Sequence, residues 1–347
     1  MKKMFLPLFL SLFLSLAFLS VVPVLAAEGQ LTDAAAAADG WNGTQYYQNG
    51  TAVTGFMTID GLKYYFDETG NLVTGWKTIS GKKYYFAETA ADGSALGAAF
   101  SKGMHAVDGA TYYFTSDGYI KTSWWYKSSN GNKYYFNAKG IRVTGIQKIK
   151  KKYYYFKSSG VLLKKTKKIG GTTYYIDSNG YLEAYKKGSK YYNPNGKKKS
   201  AQATTSFKTL LRAKAVVAKI TTSKMSKSQK LKVCFDWVVN RPYRIYRNFH
   251  KTSKSSWITT YANDHFLREG GECHADGAAM AYLAKAIGYT NVYVCLDCDG
   301  IKNQGHCWAE INGKVYDPRF AAARGYKNYY AVTYSKYVLR PITHIKI

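Results

Sequence analysis

The apolar positions of this 347-residue chain change their spacing along its length, and each change predicts a new kind of structure. Residues 5–22 are almost wholly apolar, a pair of lysines precedes them and small residues follow them. Such an arrangement is typical of an export signal, so we predict a cleaved signal over residues 1–26 and a spacer over residues 27–40. An uncleaved membrane anchor is the alternative, because the apolar run nearly reaches spanning length.

Pairs of tyrosines flanked by glycines recur every 17 to 28 residues between residues 41 and 196. Examples are GLKYYF from Gly61, GKKYYF from Gly81 and GNKYYF from Gly131. Aromatic residues favour β-strands, while Gly, Asn and Asp supply turns with positive φ, so each unit predicts a short β-hairpin. Since a lone hairpin is only marginally stable, we expect the hairpins to stack as an all-β hairpin-repeat solenoid over residues 41–196.

The tyrosine pattern ends at residue 196, and residues 197–206 have the composition of a linker. Apolar spacing and turn residues in the remainder predict three helices and three strands. The predicted elements are helices Phe207–Ile220, Ser228–Val239 and Cys273–Ile287, and strands Val292–Leu296, His306–Ile311 and Lys314–Tyr316. Helices followed by antiparallel strands indicate an α+β domain over residues 207–347.

The formal charge of +29 lies in the later part of the chain. Residues 27–120 carry a net charge of −5, residues 121–206 carry +18 and residues 207–347 carry +14. In an exported protein this charge favours an anionic wall polymer as partner and argues against nucleic acid. We therefore expect a secreted, wall-associated protein with no membrane span after signal cleavage.

The segment GWKTISGKKYYF from Gly75 resembles the cell-wall-binding repeat family, which includes choline-binding modules, glucan-binding repeats and clostridial toxin repeats. The resemblance implies that aromatic side chains hold a wall carbohydrate or a choline-like group. A quaternary ammonium gains about 0.5 to 2 kcal/mol over an aromatic ring. Choline binders have Trp before the tyrosine pair, whereas this chain has Lys63, Lys83 and Lys133 there. Of the partner tryptophans, only Trp76 and Trp124 stand in the usual place, so a cell-wall glycan or an anionic polymer is expected instead of choline.

Aromatic residues of the repeats are the predicted ligand contacts, with one tyrosine of each pair expected to belong to the solenoid core. The predicted set is Tyr64, Tyr65, Trp76, Tyr84, Tyr85, Tyr112, Tyr113, Trp124, Tyr134, Tyr135, Tyr154 and Tyr174.

Cys273 opens one of the predicted helices and follows two glycines and Glu272. Free N–H groups and partial positive charge at a helix N-terminus stabilise a thiolate, lower its pKa and can hold an oxyanion. Glu272 opposes this effect because it puts a negative charge beside the sulfur. A base is supplied by His306, and Asp317 on the neighbouring strand can accept its imidazole N–H and fix the tautomer. The two strands are joined by an Asn-Gly turn, which makes these residues diagonal neighbours on one face.

Three segments, REGGECH from Arg268, GHCWAE from Gly305 and KVYDPR from Lys314, resemble the Cys, His and Asp boxes of the transglutaminase-like family. The resemblance implies a papain-like fold and a triad of Cys273 as nucleophile, His306 as general base and acid, and Asp317 as its orienting partner. The expected reaction is acyl transfer through a thioester on a protein or peptide amide.

An amine would resolve that thioester into a cross-link, and water would hydrolyse it. The mechanism requires no metal and no nucleotide cofactor. The alternative function is a non-catalytic surface adhesion or glycan-binding protein whose enzyme-like domain is inactive.

Three further cysteines allow two interpretations. Cys298 and Cys307 are symmetric about a turn between residues 302 and 303, so a disulfide between them is possible in an exported protein. A zinc site formed by both of these cysteines with Cys295 and His306 is the alternative, because Cys-x-x-Cys is a common zinc-binding spacing. Cys234, which lies in a predicted helix, is expected to be a core residue.

Overall fold

The structure, a computed structural model, describes residues 38–90, 95–248, 256–298 and 305–347. The predicted signal over residues 1–26 lies outside these residues. The chain divides into two compact units, Met1–Phe100 and Ser101–Ile347, instead of dividing at the predicted linker. Within the described residues, no helix combines the length and the apolar character needed to span a membrane.

The first unit consists of antiparallel strands joined by tight turns. Its strands are β1 (Gly40–Asn42), β2 (Gln45–Gln48), β3 (Thr51–Ala52), β4 (Gly55–Ile59), β5 (Leu62–Phe66), β6 (Gly75–Ile79) and β7 (Lys82–Phe86). Strands β1 to β3 form one sheet, and β4–β5 and β6–β7 are hairpins. The β4–β5 turn has positive φ at both Asp60 and Gly61, the geometry that the Asp-Gly sequence predicts. The segment after β7 hydrogen-bonds to β5, from Ala99 N to Lys63 O at 2.8 Å, so neighbouring hairpins are joined.

The second unit begins with ten further strands. They are β8 (Gly103–Val107), β9 (Ala110–Phe114), β10 (Trp124–Lys127), β11 (Lys133–Phe136), β12 (Gly145–Ile149), β13 (Lys152–Phe156), β14 (Lys167–Ile169), β15 (Thr172–Ile176), β16 (Leu182–Lys187) and β17 (Lys190–Tyr192). Strands β8 to β13 form three hairpins, and β14 to β17 form a four-stranded sheet. The predicted β-hairpin repeats are therefore confirmed.

The core of the hairpins is built on a phenylalanine that follows five of the eight tyrosine pairs. Its side chain is fully buried in five repeats, at Phe66, Phe86, Phe114, Phe136 and Phe156. Each of these residues also pairs with the segment after its hairpin, as Phe156 does with Leu162. The buried phenylalanine is thus the residue at which the hairpin contacts the segment that follows it, and the sequence prediction, based on the tyrosine pairs, did not include it.

Within the described residues, the C-terminal part of the second unit contains five α-helices. They are α1 (Ala201–Ile220), α2 (Lys227–Val239), α3 (Ser256–Leu267), α4 (Cys273–Ile287) and α5 (Pro318–Arg324). Helix α4 has the predicted bounds and ends at Gly288, whose φ is +106°. Helix α1 begins inside the segment predicted as a linker, because Ser200 caps it by accepting a hydrogen bond from Ala203 N.

Helix α1 packs directly on the last repeats, which explains why no flexible linker separates them. The ring of Phe207 lies 5.2 Å from that of Tyr175 and 6.0 Å from that of Tyr191, measured between centroids. Ala184 of β16 and Leu210 of α1 belong to the same apolar cluster. The final repeat sheet and the first helix therefore share one core.

A five-stranded antiparallel sheet completes the C-terminal part. Its strands are β18 (Val292–Leu296), β19 (Cys307–Ile311), β20 (Lys314–Tyr316), β21 (Tyr330–Val332) and β22 (Thr343–Lys346), arranged in the order β21-β20-β19-β18-β22. Asn312 and Gly313 form the predicted turn, with Ile311 paired to Lys314. Helix α4 packs against β19 and is buried along almost its whole length. The α+β organisation is confirmed, and the finer transglutaminase-like, papain-like fold remains a prediction.

Candidate active site and aromatic repeat surface

Cys273 is the first residue of α4, where two glycines and Glu272 bring the chain into the helix. Gly270 has a φ of +105° and lies against the backbone of Pro242, so a side chain there would collide with the chain. Glu272 is the N-cap and accepts a hydrogen bond from His274 N at 2.9 Å. The carboxylate of Glu272 therefore accepts a hydrogen bond from one of the free N–H groups at the helix N-terminus, and that N–H group is then not available to a thiolate.

The thiol of Cys273 lies in an environment that opposes its ionisation. Its Sγ is 3.2 Å from Glu272 Oε2 and 3.7 Å from Gly305 O. Burial, reinforced by the negative charge of Glu272 and by its hydrogen bond, raises the pKa of Cys273 well above its usual range. The net direction of the pKa shift of Cys273 is therefore upward, and the opposition by Glu272 that the sequence indicates is part of it.

His306 and Asp317 meet as the strand register predicts. His306 Nε2 is 2.7 Å from Asp317 Oδ2, and the carboxyl group of Asp317 is fully buried. A second hydrogen bond of 2.7 Å reaches the same oxygen from the hydroxyl of Tyr337, and Phe320 N donates to Oδ1 at 3.0 Å. Burial and the negative charge of Asp317 raise the pKa of Tyr337, so its hydroxyl remains a donor. The carboxylate is thereby fixed to accept the Nε2–H of the imidazole.

The imidazole ring is also held by stacking. The ring of Phe320 lies 3.8 Å from that of His306 at an interplanar angle of 13°. The structure therefore joins two predicted triad members directly and places Cys273 against Gly305, the residue before His306. Among the described residues, the thiol makes hydrogen bonds with Glu272, His274, Gly305 and the backbone of Cys307, and none with His306.

An ion-pair network near the start of α4 was missed by the sequence analysis. Arg319 Nε donates to Asp276 Oδ2 at 2.9 Å, and its NH2 group donates to Gly271 O at 3.1 Å. Asp276 is buried in α4, three residues after Cys273. Arg319 thus joins the segment after Asp317 to Gly271 and Asp276, which lie before and after Cys273 in the sequence. The position of Arg319, two residues after Asp317, could have marked it as a candidate site residue, but its hydrogen-bond partners are distant in sequence.

The predicted disulfide between Cys298 and Cys307 is wrong, since both residues carry thiols. Strand pairing places Leu296 opposite Cys307, and Asp297 N donates to His306 O. The residue opposite Cys307 is therefore two positions before Cys298, which the sequence prediction had placed there. Cys307 instead lies against Gly277 of α4. The predicted zinc set is not brought together either, because Cys295 pairs with Trp308 and therefore faces away from Cys307. Cys234 is fully buried, as predicted.

The predicted ligand-binding aromatics of the repeats differ in exposure. Five of them are buried: Tyr64, Tyr84, Tyr85, Tyr112 and Tyr134. Seven are half-buried: Tyr65, Trp76, Tyr113, Trp124, Tyr135, Tyr154 and Tyr174. Where only one member of a pair is buried it is the first, so Tyr65, Tyr113 and Tyr135, together with the tryptophans, offer reachable surface, whereas Tyr85 does not.

Trp125, not Trp124, takes the place that Trp76 has in its own hairpin. Trp76 pairs with Tyr85 across β6 and β7, whereas across β10 and β11 it is Trp125 that pairs with Tyr135. The sequence prediction missed this shift because the β10–β11 turn is longer than the two-residue turn of β6–β7. Trp124 still contributes an aromatic face, with its ring 4.9 Å from that of Tyr113.

Lysines before the tyrosine pairs cover neighbouring rings of the first unit. Lys63 Nζ lies 4.2 Å from the centroid of Phe56, and Lys83 Nζ lies 4.2 Å from that of Trp76. Each ammonium occupies the kind of position over a ring that an ammonium ligand would take. These lysines therefore compete with a choline-like ligand for the same ring faces.

The repeats match known families. Residues 53–90 match the model of the choline-binding repeat, and residues 145–162 and 167–182 match that of the putative cell wall binding repeat. The resemblance to choline-binding and cell-wall-binding repeats is therefore confirmed, and both matches lie within the hairpin region. No curated protein matches the chain. The transglutaminase-like resemblance of the C-terminal part remains a prediction.

Solved structures also resemble parts of the chain. Choline binding protein F from Streptococcus pneumoniae is 31% identical over 42% of this chain and 47% of its own, with a TM-score of 0.36. The same protein in the presence of a peptidoglycan analogue gives 25% identity over 46% and 53%, with a TM-score of 0.35. Truncated alternansucrase from Leuconostoc mesenteroides gives 28% identity over 40% and 12%, with a TM-score of 0.23. The chain spans about half the length of the choline-binding protein that it matches.

Proposed function

We propose that this chain is a secreted, cell-wall-associated cysteine enzyme that transfers acyl groups through a thioester. The observation that carries the proposal is the 2.7 Å contact between His306 Nε2 and the buried Asp317 Oδ2, beside a helix that begins with Cys273. A buried carboxylate that orients an imidazole is one half of the arrangement that nucleophilic catalysis needs, and a thiol that can reach the imidazole is the other half. The proposed substrate is a protein or peptide amide.

The chemistry starts from a neutral thiol, because burial and Glu272 raise the pKa of Cys273. Attack requires the thiol to turn from Glu272 toward Nδ1 of His306, which takes the proton as the carbon–sulfur bond forms. The imidazolium, stabilised by Asp317, then gives that proton to the leaving amine as the carbon–nitrogen bond breaks. Water or a second amine resolves the thioester, giving hydrolysis or a cross-link.

The hairpin repeats supply the attachment to the wall in this proposal. One matched relative is described in the presence of a peptidoglycan analogue, a tetrasaccharide-pentapeptide. In this chain, half-buried aromatic rings provide stacking surfaces, and residues 121–206 add a net charge of +18. These features support a cell-wall glycan or an anionic wall polymer as the bound partner.

Labelling by iodoacetamide, followed by peptide mapping, tests the nucleophile. We expect Cys273 to be alkylated in the wild type and more slowly in His306→Ala, because the imidazole no longer accepts the thiol proton. Cys298→Ser is the matched control, since Cys298 is the other partly exposed thiol of the described residues. Labelling confined to Cys298 would contradict the proposal.

Turnover is tested as ammonia release from a glutamine-containing peptide, with and without an added amine. Cys273→Ala should abolish the release while the fold is retained, because a methyl group leaves the helix start intact. Ordinary turnover by this variant would refute the mechanism. An amine that is incorporated into the peptide identifies transamidation, and ammonia release without incorporation identifies hydrolysis.

A second candidate function is a non-catalytic glycan-binding surface protein. The observation that favours it is the hydrogen bond of the Cys273 thiol to Glu272, which together with the raised pKa stabilises an unreactive state. This function requires that Cys273 neither labels nor turns over under any condition in which the repeats bind cell walls.

A further inference from the structure

A second group of reactive side chains lies on the five-stranded sheet, outside the proposed triad. Cys295 of β18 pairs with His344 of β22 on one side and with Trp308 of β19 on the other. Paired residues of a sheet point to the same face, and so do residues two apart along a strand. Glu310, two residues after Trp308, therefore joins Cys295 and His344 on one face.

The side chains converge closely on this face. His344 Nε2 is 3.0 Å from Glu310 Oε2, and the three potential ligand atoms of Cys295, Glu310 and His344 all lie within 4.8 Å of one another. The hydroxyl of Tyr334 is 3.0 Å from Glu310 Oε2 and 3.7 Å from Cys295 Sγ. Four atoms of sulfur, nitrogen and oxygen therefore surround one small volume.

Burial makes this cluster costly without a cation. Cys295 is fully buried and Glu310 is 8% exposed, and a buried carboxylate needs an opposite charge or a metal ion. The ion-pair partner of Glu310 is His344, which carries charge only when protonated. His344 is also half-exposed, with 40% of its side chain accessible, so an ion could enter from its side.

We propose that Cys295, Glu310 and His344 bind a zinc ion that joins β22 to β18 and β19. One thiolate, one imidazole and one carboxylate suit zinc, whose tetrahedral bonds of about 2.0 to 2.3 Å set ligand atoms roughly 3.3 to 3.7 Å apart. The distance between His344 Nε2 and Glu310 Oε2, 3.0 Å, would lengthen by a few tenths of an ångström, and the distances from Cys295 Sγ, which are within 4.8 Å, would shorten by up to about 1 Å. The Tyr334 hydroxyl or a water molecule completes the four-coordinate shell.

The site differs from the zinc set predicted from the sequence, in which Cys295 was grouped with Cys298, Cys307 and His306. Cys295 is the only member shared by the two sets. Because His306 stays with Asp317, the proposed ion is structural and leaves the triad chemistry unchanged. Its expected effect is to hold the edge strand β22, which contributes the last ligand.

Cobalt(II) titration of the metal-stripped full-length chain tests the proposal. We expect one equivalent to bind with a thiolate-to-cobalt charge-transfer band, zinc to displace it, and zinc to raise the melting temperature. Cys295→Ser should remove the band, and His344→Ala, at a half-exposed position, should weaken binding by about tenfold or more. Lys346→Ala, on the same edge strand, is the matched control and should bind as the wild type does.

A competing cluster makes the experiment discriminating. Glu272, Cys273 and His274 also bring three potential ligand atoms within 4.8 Å of one another. The proposal requires the charge-transfer band to survive in Cys273→Ala and to disappear in Cys295→Ser. The opposite pattern, or the absence of any thiolate band in the wild type, overturns it, and neither outcome depends on enzymatic activity.

Discussion

At the scale of single residues, Glu272 adds to the burial that keeps the thiol of Cys273 protonated. Replacing it by Gln removes the negative charge 3.2 Å from Cys273 Sγ, so thiolate formation costs less and the pKa of Cys273 falls. The rate of iodoacetamide labelling should therefore begin to rise at lower pH in Glu272→Gln than in the wild type. Glu269→Gln, an exposed carboxylate three residues earlier, is the control and should leave the profile in place. Superimposable profiles for wild type and Glu272→Gln would contradict this assignment.

For Asp317, a substitution can separate the effect of its carboxylate on His306 from the effect of the size of its side chain. Asp317→Asn keeps the size of the side chain but presents the wrong group to His306 Nε2, so the required tautomer is disfavoured. Activity should fall by about 10⁴-fold, the loss measured for the equivalent change in a Ser-His-Asp triad. Tyr337→Phe removes a hydrogen bond to the same oxygen without changing its charge, and should cost far less activity. Equal losses in ammonia release for the two variants would assign Asp317 a structural role only.

At the scale of elements, the sequence predicted what local chemistry determines and missed what distant partners determine. Helix α4 was predicted to the residue because Gly288 provides its left-handed end, and the Asn312-Gly313 turn fixed the register that joins His306 to Asp317. Helix α3 was missed because its aromatic and β-branched residues have low helical propensity and become helical through burial. The hydrogen bonds of Arg319 could not be predicted, because they reach residues more than 40 positions away.

In the five hairpins that have one, the buried phenylalanine after the tyrosine pair is expected to determine the stability of the hairpin. Phe136→Ala removes a fully buried ring and should lower the free energy of unfolding of the repeats by about 3 to 5 kcal/mol. Tyr135→Ala, at the half-buried neighbouring position, should cost clearly less, because its ring loses less contact on truncation. Denaturant unfolding followed by near-ultraviolet circular dichroism measures both. A greater loss of unfolding free energy in Tyr135→Ala than in Phe136→Ala would show that the tyrosines, and not the phenylalanines, form the core of the repeat.

At the scale of the whole second unit, the last repeat sheet and the C-terminal part pack together. The ring of Phe207 in α1 packs against Tyr175 and Tyr191 of the last repeat sheet, so the two parts share a core instead of a flexible linker. In the proposed function, wall binding by the repeats then determines which amides Cys273 can reach. A linker composition over residues 197–206 predicted the opposite, because composition does not encode the packing of α1 on aromatic residues that are distant in sequence.

Binding of the full-length protein to purified cell walls is the last prediction. If an anionic polymer is the partner, binding should weaken as salt rises, because exposed charges are screened beyond about 8 Å at physiological ionic strength. Replacing four exposed lysines of the repeats by Gln should weaken sedimentation with walls more than replacing three exposed lysines of the C-terminal part. The repeat set is Lys164, Lys165, Lys167 and Lys168, and the control set is Lys224, Lys314 and Lys336.

Because Lys63 and Lys83 already cover aromatic rings, free choline should not elute the protein at low concentration. Elution by choline with no effect of salt would instead make the aromatic faces the binding site and reduce the basic stretch to a solvated surface.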